Sequence, residues 1–405
     1  GGLEVTEKKC LASTDGSSTY EQGADGVQIP GSAVTTKASV PGGTLKLALD
    51  SDLDWFSTQA IAEQGTAIGA QSGTAIVLRV KDFHIMAAAD WPAVDPNNID
   101  GSAVANFGSL AFSAAYEPGS VFKAMSAAIL LDTGIGSPTM PATVPSRWTT
   151  PEGGFVRDAI GHPTQQLTLT GVLQNSSNVG ISMLGSKVPE DVRLAYMKKF
   201  GLGQRTAVDF LGEQSGSLGV SGSAAKPWDD QSKYNVLYGQ GVSATALQVA
   251  QIFGTLGNGG VKLPLTLVES CTKADGTVTD LPSATGTRVV TENTAKTVVN
   301  MLESVIQGGE LSQAVKIPGY RVAGKSGTAE VAGPGGYTSD RIVSFAGIAP
   351  AEDPQYVVVV TYTKPATMKS SAAAAPTFKK IMSQVLTKYR VPPSTTPSTY
   401  PATTW

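Results

Sequence analysis

The sequence predicts one α/β domain of the α+β type, with its sheet built by strands from both ends of the chain. Three observations carry the prediction. Strand candidates gather within residues 44–89 and again within 321–364. The middle, from about Ser113 to Leu311, is mainly helical in its apolar spacing. The 45 glycines and 24 prolines among 405 residues supply turns for many elements. A chain of this length can bury one large core, or one core with a smaller companion. No internal repeat divides it.

In chain order, residues 1–42 are rich in Gly, Ser, Thr and Asp with little apolar periodicity. They read as loops, or the remnant of another domain, joined through Pro41-Gly42-Gly43. Thr44–Leu49 alternates like a strand, and Asp54–Gln64 can form a short helix. Thr74–Val80 and His84–Ala89 read as strands joined tightly around Lys81-Asp82. Arg321–Glu330, Arg341–Pro350 and Tyr356–Lys364 are three further strands. Gly333-Pro334-Gly335-Gly336 separates the first two, and Glu352-Asp353-Pro354 turns the chain before the third. Ala372–Tyr389 closes the domain as a helix. Val391–Trp405 is rich in Pro, Thr and Ser and is predicted to be disordered. The expected division is therefore 1–42, 43–390 and 391–405.

A formal charge of −3 leaves no basic excess to neutralise a nucleic-acid backbone, which excludes that partner class. No apolar run approaches the ~20 residues needed to span a bilayer. The chain opens on Gly1-Gly2-Leu3-Glu4, so it is expected to begin downstream of whatever exported it. With two histidines and no CxxC pair, a zinc cluster is not expected. Cys10 and Cys271 could form one bridge in an oxidising compartment. The alternative is two buried, unpaired thiols.

The run Val121–Leu131 is an apolar helix entered through Tyr116-Glu117-Pro118-Gly119-Ser120, with Gly134 as its stop. Lys123 is the only charge inside it. Burial of an unpaired ammonium is costly and pushes a lysine toward its neutral amine. Residues at i and i+3 share a helix face, which sets the Lys123 amine beside the Ser120 hydroxyl. A hydroxyl is a weak nucleophile at neutral pH, and an adjacent desolvated lysine can act as its base. Ser223/Lys226 and Ser270/Lys273 have the same spacing. The first pair lies in a Gly/Ser-rich loop and the second in an alternating stretch, so neither opens an apolar helix. His84, in an apolar strand, and His162, in a Gly-His-Pro turn, are read as structural, which weighs against a Ser-His-Asp hydrolase.

Two further elements complete the pattern. Gln174-Asn175-Ser176-Ser177-Asn178 interrupts helical spacing between Leu167–Leu173 and Val179–Leu184. Its Ser176 hydroxyl and Asn178 amide could face a cleft. Gly324-Lys325-Ser326-Gly327-Thr328 lies at the end of a strand, beside the Pro334-Gly335-Gly336 hairpin. Lys325 offers positive charge, Ser326 and Thr328 offer hydroxyls, and Gly327 permits close backbone approach. That set suits an extended peptide ending in a carboxylate.

Ser-x-x-Lys, Ser-x-Asn and Lys-Ser-Gly-Thr, in this order, resemble the penicillin-binding protein and serine β-lactamase superfamily. Tyr116-Glu117-Pro118-Gly119-Ser120, Ser176-Ser177-Asn178, Tyr238-Gly239-Gln240-Gly241 with Leu247-Gln248, and Lys325–Glu330 narrow the resemblance to class B penicillin-binding proteins. It covers roughly residues 44–390. It implies the transpeptidase fold, a mainly antiparallel sheet covered by helices plus an all-helical lobe, after a short N-terminal remnant. It also implies a D,D-transpeptidase that cross-links peptidoglycan and is acylated by β-lactams. In that scheme Ser120 attacks the bond between the last two D-alanines of a stem peptide, and Lys123 is the base. Ser176 and Asn178 line the cleft, Lys325, Ser326 and Thr328 bind the terminal carboxylate, and Ser177 and Gly327 complete the implied substrate-binding set. The backbone N–H groups of Ser120 and Thr328 form the oxyanion hole. No metal or organic cofactor is called for. The implied setting is the outer side of a bacterial membrane, with an anchor upstream of this chain. A glycan polymerase and a division or elongation complex are the implied partners. The competing expectations are a D,D-carboxypeptidase or β-lactamase of the same superfamily, and a non-catalytic β-lactam sensor or scaffold.

Overall fold

A computed structural model describes residues 2–95, 97–279, 281–283, 285–333 and 336–405. The central sheet contains Ser72–Arg79 (β1), His84–Trp91 (β2), Ala323–Gly333 (β3), Gly336–Ala349 (β4) and Tyr356–Thr363 (β5). Their order is β3-β4-β5-β1-β2, and every neighbouring pair is antiparallel. The two ends of the chain thus meet where β5 pairs with β1, from Tyr356 opposite Arg79 to Thr363 opposite Ser72. Near the middle of the sheet, Val357-Val358-Val359-Val360 is an unbroken apolar run because both faces of β5 are covered. Val357 and Val359 join Ile76 and Leu78 in one core, whereas Val358 and Val360 join Ala75 and Val77 in another. Each such fully buried valine contributes on the order of 1.5–3 kcal/mol.

Helices Ser51–Ala67 (α1) and Ala375–Lys388 (α7) cover one face, through Leu53, Ile61, Phe378 and Ile381. The other face meets the helical lobe. There Lys123–Asp132 (α2), Leu169–Gln174 (α3), Asn178–Gly185 (α4), Ala246–Gly257 (α5) and Glu292–Gly308 (α6) share one core. Helix starts carry the expected caps. Asp50 accepts from Leu53 N at 3.0 Å, and Thr245 forms a reciprocal capping box with Gln248. Among the described residues, no helix is long and apolar enough to cross a membrane.

Several sequence expectations change. Cys10 and Cys271 are bridged, with Cα atoms 6.0 Å apart, which removes the alternative of unpaired thiols. Strand Val268–Thr272 pairs with Thr44–Leu47 and carries Cys271 to the N-terminal segment. That segment is not all loop. It has helical turns at Leu3–Thr6 and Lys8–Leu11 and an exposed ribbon pairing Ser17–Thr19 with Val34–Lys37. Residues 391–405 are ordered rather than disordered, because exposed backbone edges hold them. Tyr320 Oη donates to Val391 O (2.7 Å), Thr168 N to Thr403 O (3.1 Å) and Trp405 Nε1 to Ala142 O (3.3 Å). Leu167 is not helical. Gln165–Thr168 pairs with Pro141–Val144, and Thr168 then caps α3 through Gly171 N. The Lys-Ser-Gly-Thr segment lies inside β3 near its start, not at its end. Of the expected hairpin loop, Pro334 and Gly335 fall outside the described residues.

Candidate active site

The site begins with a turn tighter than the predicted helix. Gly119–Phe122 is a 3₁₀ turn, and α2 starts only at Lys123. Side chains at i and i+3 eclipse in that geometry, and Lys123 Nζ lies 2.8 Å from Ser120 Oγ. The turn is pressed against β3. Gly119 has φ 59°, and a Cβ added there would sit 2.9 Å from the Thr328 carbonyl oxygen. On the other side of the contact, a Cβ at Gly327 would fall 2.3 Å from Ser344 Oγ and 2.9 Å from Pro118 O. Glycine at both places lets the two backbones meet.

The second element enters from between α3 and α4. Ser176 has φ 57°, a left-handed conformation uncommon outside glycine. This turn directs both its carbonyl and its hydroxyl at the Lys123 ammonium position, and Asn178 Oδ1 stands 2.7 Å from Nζ. Lys325 reaches the same hydroxyl from β3, with Nζ 2.8 Å from Ser176 Oγ and 3.2 Å from Ser326 Oγ. Ser176 thereby bridges two lysines, both with no exposed surface. Burial pushes Lys123 well below the ordinary lysine range. The positive charge of Lys325 adds to this, and Asp158 opposes it. Burial alone brings Lys325 down to about 7.

The structure brings Ser120, Lys123, Ser176, Asn178, Lys325 and Ser326 together. Gly327 packs beneath the turn, and Thr328 is exposed with Oγ1 accepting from Ser371 N at 3.1 Å. Ser177 departs from its expected substrate-binding place. It is buried, with its hydroxyl donating to Asp158 and accepting from Gly180 N, so it serves the start of α4 instead. The rival Ser-x-x-Lys pairs lie elsewhere. Ser223 Oγ only accepts from the exposed Lys226 backbone, and Ser270 is on the strand that pairs with Thr44–Leu47. His84 sits against Arg79 and Glu269.

A site of this composition can acylate. It has a part-exposed hydroxyl, an adjacent amine whose proton affinity burial lowers, and a second buried lysine that can meet an anion. The family model described as the penicillin binding protein transpeptidase domain matches residues 73–383. The chain belongs to that family. It is 37% identical to penicillin-binding protein PbpB of Mycolicibacterium smegmatis, over 98% of this chain and 62% of that protein. It is 33% identical to the peptidoglycan D,D-transpeptidase FtsI of Escherichia coli K12, over 86% of this chain and 57% of that protein. The chain therefore spans about three-fifths of these curated relatives' length. Penicillin binding protein 3 of Mycobacterium tuberculosis, solved without ligand, superposes with a TM-score of 0.86 at 32% identity. The match covers 99% of this chain and 87% of that one. The same protein complexed with ampicillin gives 0.86 at 32% identity, covering 98% and 86%. The class B resemblance of the sequence fits these relatives, as does the fold, an antiparallel sheet between helical layers.

Sequence reasoning missed Asp158 and the Gly119–Gly239 contact, in which Gly119 N donates to Gly239 O at 3.0 Å. Asp158 follows the short strand Phe155–Arg157, and apart from His162 the partners of its carboxylate are about 20 residues away in sequence. The glycine of Tyr238-Gly239-Gln240-Gly241 was visible only through the resemblance.

Proposed function

We propose that this chain is the transpeptidase part of a class B penicillin-binding protein, a serine D,D-transpeptidase that cross-links peptidoglycan stem peptides and is acylated by β-lactams. The observation that carries the proposal is the meeting of Ser120, Lys123 and Ser176 with a second buried lysine, Lys325, in a chain of this family. Ser120 Oγ attacks the carbonyl between the last two D-alanines while neutral Lys123 takes its proton. The oxyanion is held by the backbone N–H groups of Ser120 and Thr328, each such donor contributing roughly 3–4 kcal/mol. Lys325, with Ser326 and Thr328, receives the terminal carboxylate, and Ser176 passes protons between the two lysines. D-alanine leaves, and an amine of a neighbouring stem peptide resolves the acyl-enzyme.

Residues 43–390 form the transpeptidase domain in this reading, and 1–42 are the end of a non-catalytic module. The complete protein is held at the outer face of a bacterial membrane by an upstream anchor and works beside a glycan polymerase in a division or elongation complex. The relatives named for peptidoglycan transpeptidation and the ampicillin complex support it.

The test is covalent labelling by a fluorescent penicillin, followed by intact mass over hours. A stable adduct on Ser120, absent from Ser120→Ala, is expected, with Lys123→Ala slowed by ~10²–10⁴-fold. Label persisting in Ser120→Ala would refute the assignment of the nucleophile. Rapid drug turnover without an adduct would point to a β-lactamase, and no reaction to a scaffold.

A further inference from the structure

We infer that Asp158 is a positioning residue for acylation, clamping the Ser176-Ser177-Asn178 turn against Lys123; the inference rests on the acyl-transfer reading above. One carboxylate gathers four donors. Oδ1 accepts from the backbone N–H groups of Asn178 (2.5 Å) and Val179 (2.9 Å), and Oδ2 accepts from Ser177 Oγ (2.7 Å) and lies 2.9 Å from His162 Nε2. Three of the four partners come from the turn itself or the first residues of α4. Backbone N–H groups at a helix start have no partner within the helix, so a carboxylate there satisfies them and complements the dipole. Asn178 is held at a third point, its Nδ2 donating to Arg157 O at 3.2 Å. Its Oδ1 is thereby left facing Lys123 Nζ.

This arrangement explains how Ser176 keeps its left-handed backbone. A conformation costing ~1–3 kcal/mol persists only when surrounding contacts over-determine it. Asp158 supplies those contacts immediately after Ser176, and His162 is the strut behind the carboxylate, its own Nδ1 lying 2.7 Å from Pro163 O. The Asp158 charge also reaches Lys123 and favours its protonated form, opposite in sign to Lys325. These two are the charged groups that act on Lys123. The same carboxylate therefore sets the geometry of the base and moderates how far its basicity falls.

The two effects separate in an experiment. Second-order acylation by a fluorescent penicillin is followed as a function of pH for the unaltered chain, Asp158→Asn and Ser177→Ala, beside thermal unfolding. Asp158→Asn keeps the size of the side chain but loses its charge and half its accepting capacity. The plateau rate is expected to fall on the order of 10–100-fold, as a misplaced catalytic group does. The acid limb moves to lower pH, because Lys123 loses the charge that favoured its protonated form. Simple loosening of the site would hydrate Lys123 and move that limb the other way. Ser177→Ala, which removes one of the four donors, is expected to give a smaller fall with the limb unmoved, and it remains informative should Asp158→Asn fail to fold. The two losses should be less than additive in the double variant, because they share one clamp. Unaltered acylation in Asp158→Asn, an acid limb moved upward, or strict additivity would overturn the inference. Failure of the unaltered chain to acylate would instead overturn the reading on which it rests.

Discussion

At the residue scale, the site works by denying two lysines their water. Lys123 and Lys325 are both wholly buried, near each other, and have one hydroxyl, Ser176 Oγ, in common. For Lys123 the result is an amine of lowered proton affinity beside Ser120. For Lys325, brought to about 7 by burial, the result is a cation that a bound anion can switch on. In the free protein Lys325 is mostly neutral above about pH 7, and a carboxylate at its side favours the charged form and raises its pKa. Binding of a β-lactam to Ser120→Ala should therefore take up close to one proton at about pH 8–9 and almost none at about pH 6. Calorimetry in buffers of different ionisation enthalpy measures this directly. Absence of uptake at about pH 8 would mean that Lys325 does not receive the anion.

At the element scale, each chemical group stands at the edge of a regular element rather than in open loop. Ser120 lies near the start of the 3₁₀ turn leading into α2, Asn178 opens α4, and Lys325 lies within β3. Spacing within an element was legible: i and i+3 for Ser120 and Lys123, and short apolar runs bounded by turns for β1, β2 and β5. The N-terminal segment was less so, because most of its residues are exposed and it presents no apolar period. What holds it is the Cys10–Cys271 bridge, closing a separation of 261 residues. Loop-closure entropy over that length stabilises the chain by up to about 5 kcal/mol. Replacing both cysteines by serine should lower the thermal midpoint and increase proteolysis within residues 1–42, while penicillin labelling of Ser120 continues. Loss of labelling in the folded variant would show that the bridge acts on the site as well.

At the scale of the whole molecule, the C-terminal strap joins the two lobes. It leaves α7, passes Tyr320 and Arg321 before β3, and reaches the strand Gln165–Thr168. There Thr403 O crosses α3 so closely that a Cβ on Gly171 would lie 1.9 Å from it. Helix α3 ends at Gln174, two residues before Ser176, so the strap braces the helix that leads into one third of the site. Truncation after Ser394 removes the Ala402, Thr403 and Trp405 hydrogen bonds, each contributing about 1 kcal/mol. The midpoint should fall by a few degrees. Amide exchange at Thr168 and Gly171 should accelerate, and acylation should slow. Unchanged exchange at those two amides would show that the strap carries no such load.

The sequence by itself determined the strands and most helices, the sheet's closure by distant segments, and which hydroxyl and which amine meet on one helix turn. Local rules suffice there: apolar period, cap residues and an i to i+3 spacing act within a few residues. Tertiary structure alone decided that the thiols pair, that the tail is ordered, that Ser177 turns inward, and that Asp158 stands behind the cleft. Each depends on partners from about 20 to 261 residues away, and such groups meet only when the whole core closes. Composition records no trace of that meeting. A Pro/Thr/Ser-rich tail reads as disordered until an unpaired strand edge is placed beside it.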